Sequence, residues 1–197
     1  MMLTPHPDLP LVATGRLLDE PATNDLFRQL LVDTPWNDGS YLAAGRRFQL
    51  PRLQAWFADE GIAYRYADNL LNSHPWTPRL SALRQQVESV TGHRFNAVLI
   101  NQYRDGGDSV GWHADDEPDL GPEPTIASLS LGATRTFCLR PRGADRSPHE
   151  LPIPLPSGTL LLMRAPLQRD WEHAVPAEPS VTAPRINLTF RLVSPPA

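Results

Sequence analysis

Short apolar runs at near-regular spacing, abundant proline and only two stretches of helical periodicity predict a mainly β chain with flanking helices. The runs fall at 95–103, 111–115, 125–131, 134–140, 151–156, 159–164 and 185–193, with a short one at His173. Gly132-Ala133 and Ser157-Gly158 stand at turns between them. Proline occurs 22 times, and a residue without an N–H opposes helix interiors. Runs of short strands separated by such turns predict a double-sheet jelly roll, that is, a double-stranded β-helix core.

The length of 197 residues suits a single domain, 1–197, and a hydrophobic share of 41% is enough for a real core. Cys138 is the single cysteine. It has no internal disulfide partner, which points to a reducing, cytoplasmic setting, and it reads as a small buried apolar residue. No apolar run reaches the ~18 residues of a membrane span, and Met1 to Asp8 lacks the basic-then-apolar order of a signal peptide. A monomer with no membrane partner is expected. The net charge of −4 excludes a general polyanion trap. All 18 basic residues are arginine. Codon usage accounts for most of that, but each cation is still a planar fork suited to carboxylate or phosphate.

Residues 1–21 are Pro-rich and weakly patterned, and read as a loosely ordered arm. A helix follows over 22–33, with Thr23 or Asn24 as its cap and Leu26, Phe27, Leu30 and Leu31 as its apolar stripe. The pattern from 36 to about 70 breaks into short strands and turns. Arg46, Arg47 and Arg52 cluster there around Phe48, and Tyr64 and Tyr66 share a strand face. This segment is either a solvated hairpin with half-buried tyrosines, or a nucleic-acid lid with forks for phosphate and rings for a base. Leu80, Leu83, Val87 and Val90 recur at helical spacing over 79–91, and Gly92 ends that helix.

The chemistry-bearing residues lie in the second half. His113 and Asp115 stand two apart, so on a strand both side chains share a face. Most such pairs are ordinary surface residues. Joined by His173 from a returning strand, they would make the two-histidine, one-carboxylate set of non-haem Fe(II) oxygenases. Asp116 and Glu117 extend the acidic run, which usually means solvent or a cation. In the strand 95–103, Asn101 and Tyr103 share one face. In the last run Arg185, Asn187, Thr189 and Arg191 take one face, and Ile186, Leu188, Phe190 and Leu192 the other. Such a polar face is either the wet side of an edge strand or the wall of a ligand cavity. Six residues cover about 20 Å of strand, and two Arg side chains leaning together leave on the order of 6–8 Å, the size of a five-carbon diacid.

The combined motifs carry a resemblance from about Leu50 to Val193. They are Pro51-Arg52-Leu53-Gln54-Ala55-Trp56-Phe57, Asn101-Gln102-Tyr103, and the block from Asp108 to Pro118 containing Trp112-His113-Ala114-Asp115-Asp116-Glu117. The series continues with Ile126 to Phe137, Gly158-Thr159-Leu160-Leu161-Leu162-Met163, Asp170-Trp171-Glu172-His173, and Pro184-Arg185-Ile186-Asn187-Leu188-Thr189-Phe190-Arg191. The sequence resembles the AlkB family of Fe(II)/2-oxoglutarate-dependent dioxygenases, in the branch of human AlkB homologues two and three. The resemblance implies a jelly-roll core over about 95–193 and a nucleotide-recognition lid over about 36–70. It implies Fe(II) held by His113, Asp115 and His173, with 2-oxoglutarate and O2 as cosubstrates. It places Asn101, Tyr103, Arg185, Asn187 and Arg191 at the 2-oxoglutarate site.

For substrate, the resemblance implies alkylated DNA or RNA carrying 1-methyladenine or 3-methylcytosine, demethylated oxidatively with release of formaldehyde. Asp116 and Glu117 would contact the damaged base, Tyr64 and Tyr66 would cover it opposite His113, and Arg46, Arg47, Arg52 and Arg140 would form a basic rim. The family's Trp-Tyr-Gly is here Trp56-Phe57-Ala58, which loses a hydroxyl. Three rivals stand beside this reading: a hydroxylase or demethylase of the same chemistry acting on a protein or small molecule, a non-catalytic binding module, and a zinc hydrolase. A binding module would have no reason to keep every ligand, and a zinc hydrolase has no need of Arg185 and Arg191 on one face.

Overall fold

The computed structural model describes residues 2–37, 40–43, 46–62, 65–66, 69–70, 73–143 and 150–194. Two helices of 14 residues lead into the main sheet. Helix α1 (Glu20–Asp33) is capped by Asp19, whose carboxylate accepts from the Ala22 N–H at 2.9 Å. Sequence had put the cap at Thr23 or Asn24. Pro21 explains the difference: proline is tolerated in the first turn, where N–H groups have no intrahelical partner, so the helix starts ahead of it. Helix α2 (Pro78–Thr91) is capped by Thr77, which accepts from the Leu80 N–H. It stops at Gly92, whose φ of +73° most residues avoid and whose N–H satisfies the Glu88 carbonyl. A third, four-residue helix, α3 (Leu167–Asp170), lies near the end of the chain.

The strands in chain order are β1 (Thr4–Pro5), β2 (Val12–Arg16), β3 (Ser40–Ala43), β4 (Arg46–Gln49), β5 (Leu53–Ala58), β6 (Arg65–Tyr66), β7 (Asn69–Leu70) and β8 (Ser73–His74). There follow β9 (Ala97–Tyr103), β10 (Val110–His113), β11 (Ile126–Gly132), β12 (Arg135–Pro141), β13 (Leu151–Leu155), β14 (Thr159–Met163), β15 (Trp171–Val175) and β16 (Arg185–Arg191). Eight of them form one sheet in the order β1-β2-β14-β11-β16-β9-β5-β8, and four form a second, β10-β15-β12-β13. The hairpins β3-β4 and β6-β7 stand as separate two-stranded sheets. The two larger sheets make the jelly-roll core.

Strand parity divides the core into two layers. On the major sheet Val98, Ile100, Ala127, Leu129, Ile186, Leu188 and Phe190 pack with Leu26 and Leu30 of α1 and Leu80, Leu83 and Val87 of α2. The opposite face contributes Leu99, Tyr103, Ile126 and Met163 to a second cluster with Phe137, Leu139, Leu155 and Val175, largely from the minor sheet. Each fully buried aliphatic side chain contributes roughly 1.5–3 kcal/mol. The cavity described below lies in this second layer.

Three sequence expectations change here. Residues 1–21 are not simply a loose arm, because Val12–Arg16 pairs along β14 from Thr159↔Arg16 to Met163↔Val12. Backbone hydrogen bonding recruits this strand, and apolar spacing carries little trace of that. Leu53–Ala58 lies inside the segment assigned to the lid, yet it pairs with β9 in the major sheet. Finally, β16 is no wet edge: it sits between β11 and β9, and all seven of its residues are buried. Leu192 leaves the apolar face, lying past the strand end and 53% exposed.

Candidate active site

Strands β10 and β15 pair antiparallel with His113 opposite His173. One ligand atom from each of His113, Asp115 and His173 lies within 4.8 Å of the others, close enough to share one ion. Asp115 sits just past the end of β10, so strand parity alone does not aim it. Its backbone N–H donates to Gln168 Oε1 at 3.0 Å, and its Oδ1 accepts from Arg191 Nη2 at 2.7 Å. Gln168 lies on α3 and is itself buried.

Each imidazole is held by its surroundings. His113 Nδ1 lies 2.8 Å from the Gly111 carbonyl. A carbonyl only accepts, so Nδ1 carries the proton and Nε2 keeps its lone pair. His173 stacks on the Phe137 ring at 5.1 Å, and the two histidine rings are 4.2 Å apart. Burial, the neighbouring His113 and Arg191 all disfavour a proton on His173, and outweigh Asp115 to hold it at about 3. For Asp115 burial opposes the charge, but Arg191, His173 and His113 together prevail and bring the carboxyl down to about 2. The pair is therefore a neutral imidazole and a carboxylate at neutral pH, the states that ligate metal.

The site has polar atoms in want of partners. Among the described residues, nothing in the protein bonds the buried Asp115 Oδ2, His173 Nδ1, or Arg185 Nε and Nη1. An unsatisfied buried group costs about 1–3 kcal/mol. A divalent cation beside Asp115 and His173, and an anion beside Arg185, would relieve this. Two imidazoles with one carboxylate suit ferrous iron.

Asn101, Tyr103, Arg185, Asn187 and Arg191 line the same cavity as the three potential ligands. Arg185 donates to Ser130 Oγ at 2.9 Å and lies over the Tyr103 ring at 5.0 Å. Burial lowers its pKa, against the influence of Tyr103. Asn187 is committed within the protein: Nδ2 donates to Ser128 Oγ and the Leu129 carbonyl, and Oδ1 accepts from Thr189 Oγ1.

The substrate-contact residues fare differently. Arg52 is not part of an exposed rim. It is 4% exposed, lines the cavity, and donates to Asn101 Oδ1 at 3.0 Å and the Ser109 carbonyl at 3.3 Å. Arg140 is half-buried and already engaged, pairing with Glu172 at 2.9 Å over the Trp112 ring. Asp116 is exposed and paired with Arg142, and Glu117 is half-buried; the cavity lining includes neither. Tyr64 and the side chains of Arg47, Phe48 and Tyr66 lie outside the described residues, while Arg46 is exposed.

Several site residues escaped the sequence reading. Ser128 and Ser130 pair in register with Thr189 and Asn187, so alternation along β11 could have found them. Gln168 and Phe137 carried no such signal. Arg135, 1% exposed, donates to the carbonyls of Asp105, Asp108 and Pro176 and lies 5.6 Å over the Tyr103 ring. It ties the loop after β9 to the site.

The 2OG-Fe(II) oxygenase superfamily model matches residues 11–191. The chain is 44% identical over 177 residues to human alpha-ketoglutarate-dependent dioxygenase alkB homolog 3, covering 86% of this chain and 61% of that protein. The Bos taurus counterpart is 44% identical over 185 residues, covering 90% and 64%. This chain thus spans less than two thirds of these relatives. Human DNA oxidative demethylase ALKBH2 is 37% identical over 185 residues, covering 90% of this chain and 71% of that protein. The solved structure of OsALKBH1 shares the fold, with a TM-score of 0.65 at 17% identity over 92% of this chain and 96% of that one. The chain therefore belongs to the 2OG-Fe(II) oxygenase superfamily and, within it, to the AlkB family of alkB homologues 2 and 3.

Proposed function

We propose that the protein removes methyl groups from the ring nitrogens of nucleobases, chiefly 1-methyladenine and 3-methylcytosine, in alkylated DNA or RNA. The observation that carries this is the convergence of His113, Asp115 and His173 on one cavity with Arg185 and Arg191, beside an exposed acid at Asp116. The relative named as a DNA oxidative demethylase supports the substrate class.

The family's cofactor is Fe(II), with 2-oxoglutarate and O2 as cosubstrates. His113, Asp115 and His173 would hold the iron. Iron held there would supply oxidation of the N-methyl group by O2 coupled to conversion of 2-oxoglutarate to succinate and CO2, with release of formaldehyde. The remaining tasks belong to the chain. Arg185 presents unsatisfied N–H groups to a carboxylate, and the Tyr103 ring supports that guanidinium. Arg191 orients Asp115 through Oδ1, and Oδ2, which has no partner among the described residues, would be available to a metal. Asp116 and Glu117 favour a methylated base because methylation at these positions makes it cationic. The same methylation blocks Watson–Crick pairing and lowers the cost of flipping the base out. The hairpins β3-β4 and β6-β7 within the segment 36–70 serve as the recognition lid, and the protein acts as a cytoplasmic monomer.

The test is formaldehyde and succinate release from oligonucleotides carrying one methylated base, in single- and double-stranded DNA and RNA. Methylated peptides and small molecules form the comparison arm. Turnover on every peptide and on no oligonucleotide would reassign the substrate to the hydroxylase alternative.

A further inference from the structure

Asn101 and Asn187 face each other in register across β9 and β16, yet their amides are used differently. Asn187 bonds through both ends inside the protein. Asn101 bonds through one: its Oδ1 accepts from Arg52 Nε and from Gln54 Nε2, each at 3.0 Å. A guanidinium has only donors, so the Asn101 atom facing Arg52 must be the oxygen. The amide therefore has one permitted orientation. Asn101 lines the cavity, and among the described residues no hydrogen bond is donated by its Nδ2, which leaves that group for a ligand.

We infer that Arg52 and Gln54 are positioning residues for 2-oxoglutarate: they lock the Asn101 amide so that its NH2 donates to the bound keto-diacid. This rests on the proposed cosubstrate site and replaces the reading of Arg52 as a phosphate contact. All three side chains are nearly inaccessible, at 4%, 5% and 6% exposure, so no phosphate backbone reaches Arg52 directly. Gln54 lies on β5, which pairs it with Asn101 in register, and Arg52 immediately precedes that strand. The strand that borders the lid is thus also the strand that sets a cosubstrate contact. With both donors removed, the amide can turn over and present an oxygen to an anionic ligand.

The experiment measures 2-oxoglutarate binding calorimetrically to anaerobic protein loaded with Mn(II), apart from any turnover. Arg52→Met combined with Gln54→Met should weaken 2-oxoglutarate binding about tenfold, the worth of one hydrogen bond to a charged group. The KM for methylated oligonucleotide at saturating 2-oxoglutarate should stay unchanged, and kcat should recover there. A double variant that binds 2-oxoglutarate normally, or that raises only the oligonucleotide KM, overturns the inference. Should that variant not fold, Asn101→Asp tests the same point. It keeps an acceptor for both donors but turns a second oxygen toward the ligand, so its 2-oxoglutarate affinity must fall by at least as much. Unchanged affinity in Asn101→Asp overturns the inference too. Wild-type protein that binds no 2-oxoglutarate would instead reject the proposed function.

Discussion

His113 and His173 stand directly opposite each other across an antiparallel strand pair, with ring centroids 4.2 Å apart. Two imidazoles so close would repel if both were charged, and His173 avoids this by staying neutral down to about pH 3. The register of two strands therefore builds two of three potential ligands before any metal arrives.

Metal should stabilise this arrangement. Adding Mn(II) to chelator-treated protein is expected to raise Tm progressively, with stabilisation of about 2.7 kcal/mol at a hundred times Kd. His173→Ala should abolish the rise. A metal-dependent shift of the same size in that variant would remove His173 from the ligand set.

Asp115→Ala has two separable effects. Metal binding and succinate formation should vanish. The metal-free protein should also lose about 3–5 kcal/mol, because the buried Arg191 loses the Asp115 carboxylate it pairs with. Urea unfolding with chelator present isolates the second effect.

Acid should destabilise the metal-free protein in a defined window. In the unfolded chain His173 takes a proton near pH 6.5, whereas in the fold it resists until about 3. Between these values the unfolded state binds more protons, so stability falls as pH drops, by at most about 1.4 kcal/mol per pH unit. Asp115 adds to the same trend lower down: its depressed pKa gives stability that is complete above the ordinary carboxyl range and is lost as pH falls toward 2. Chemical denaturation at pH 7, 6, 5 and 4 should show the slope, and His173→Gln should flatten it.

Gly106 tests the loop that leads into β10. A Cβ there would lie 1.8 Å from the Glu178 carbonyl oxygen, and the two segments exchange backbone hydrogen bonds. Gly106→Ala should therefore cost about 1–3 kcal/mol or more, read as a lowered Tm. Wild-type stability would mean that the two segments can part freely.

Asp116 bears on substrate charge. Asp116→Asn should raise KM for cationic methylated bases about tenfold at low salt, with a smaller effect as salt screens the pair. Equal KM values for the two proteins would remove Asp116 from base recognition.

Much of this protein was legible from local sequence. Period-two alternation in 185–191 assigned Arg185, Asn187, Thr189 and Arg191 to one face, because a strand allows no other arrangement of neighbouring side chains. The helical spacing of Leu80, Leu83 and Val87 identified α2 for the same reason. What the chain could not state locally was which strands would become neighbours. Only the fold put Val12–Arg16 beside β14, buried β16 in mid-sheet, and carried Arg52 from a supposed rim to Asn101. Gln168 likewise reaches the Asp115 backbone across 53 residues of sequence. Side-chain direction along one strand is set by its own backbone, but a hydrogen bond between distant segments depends on pairing and register that the whole sheet decides.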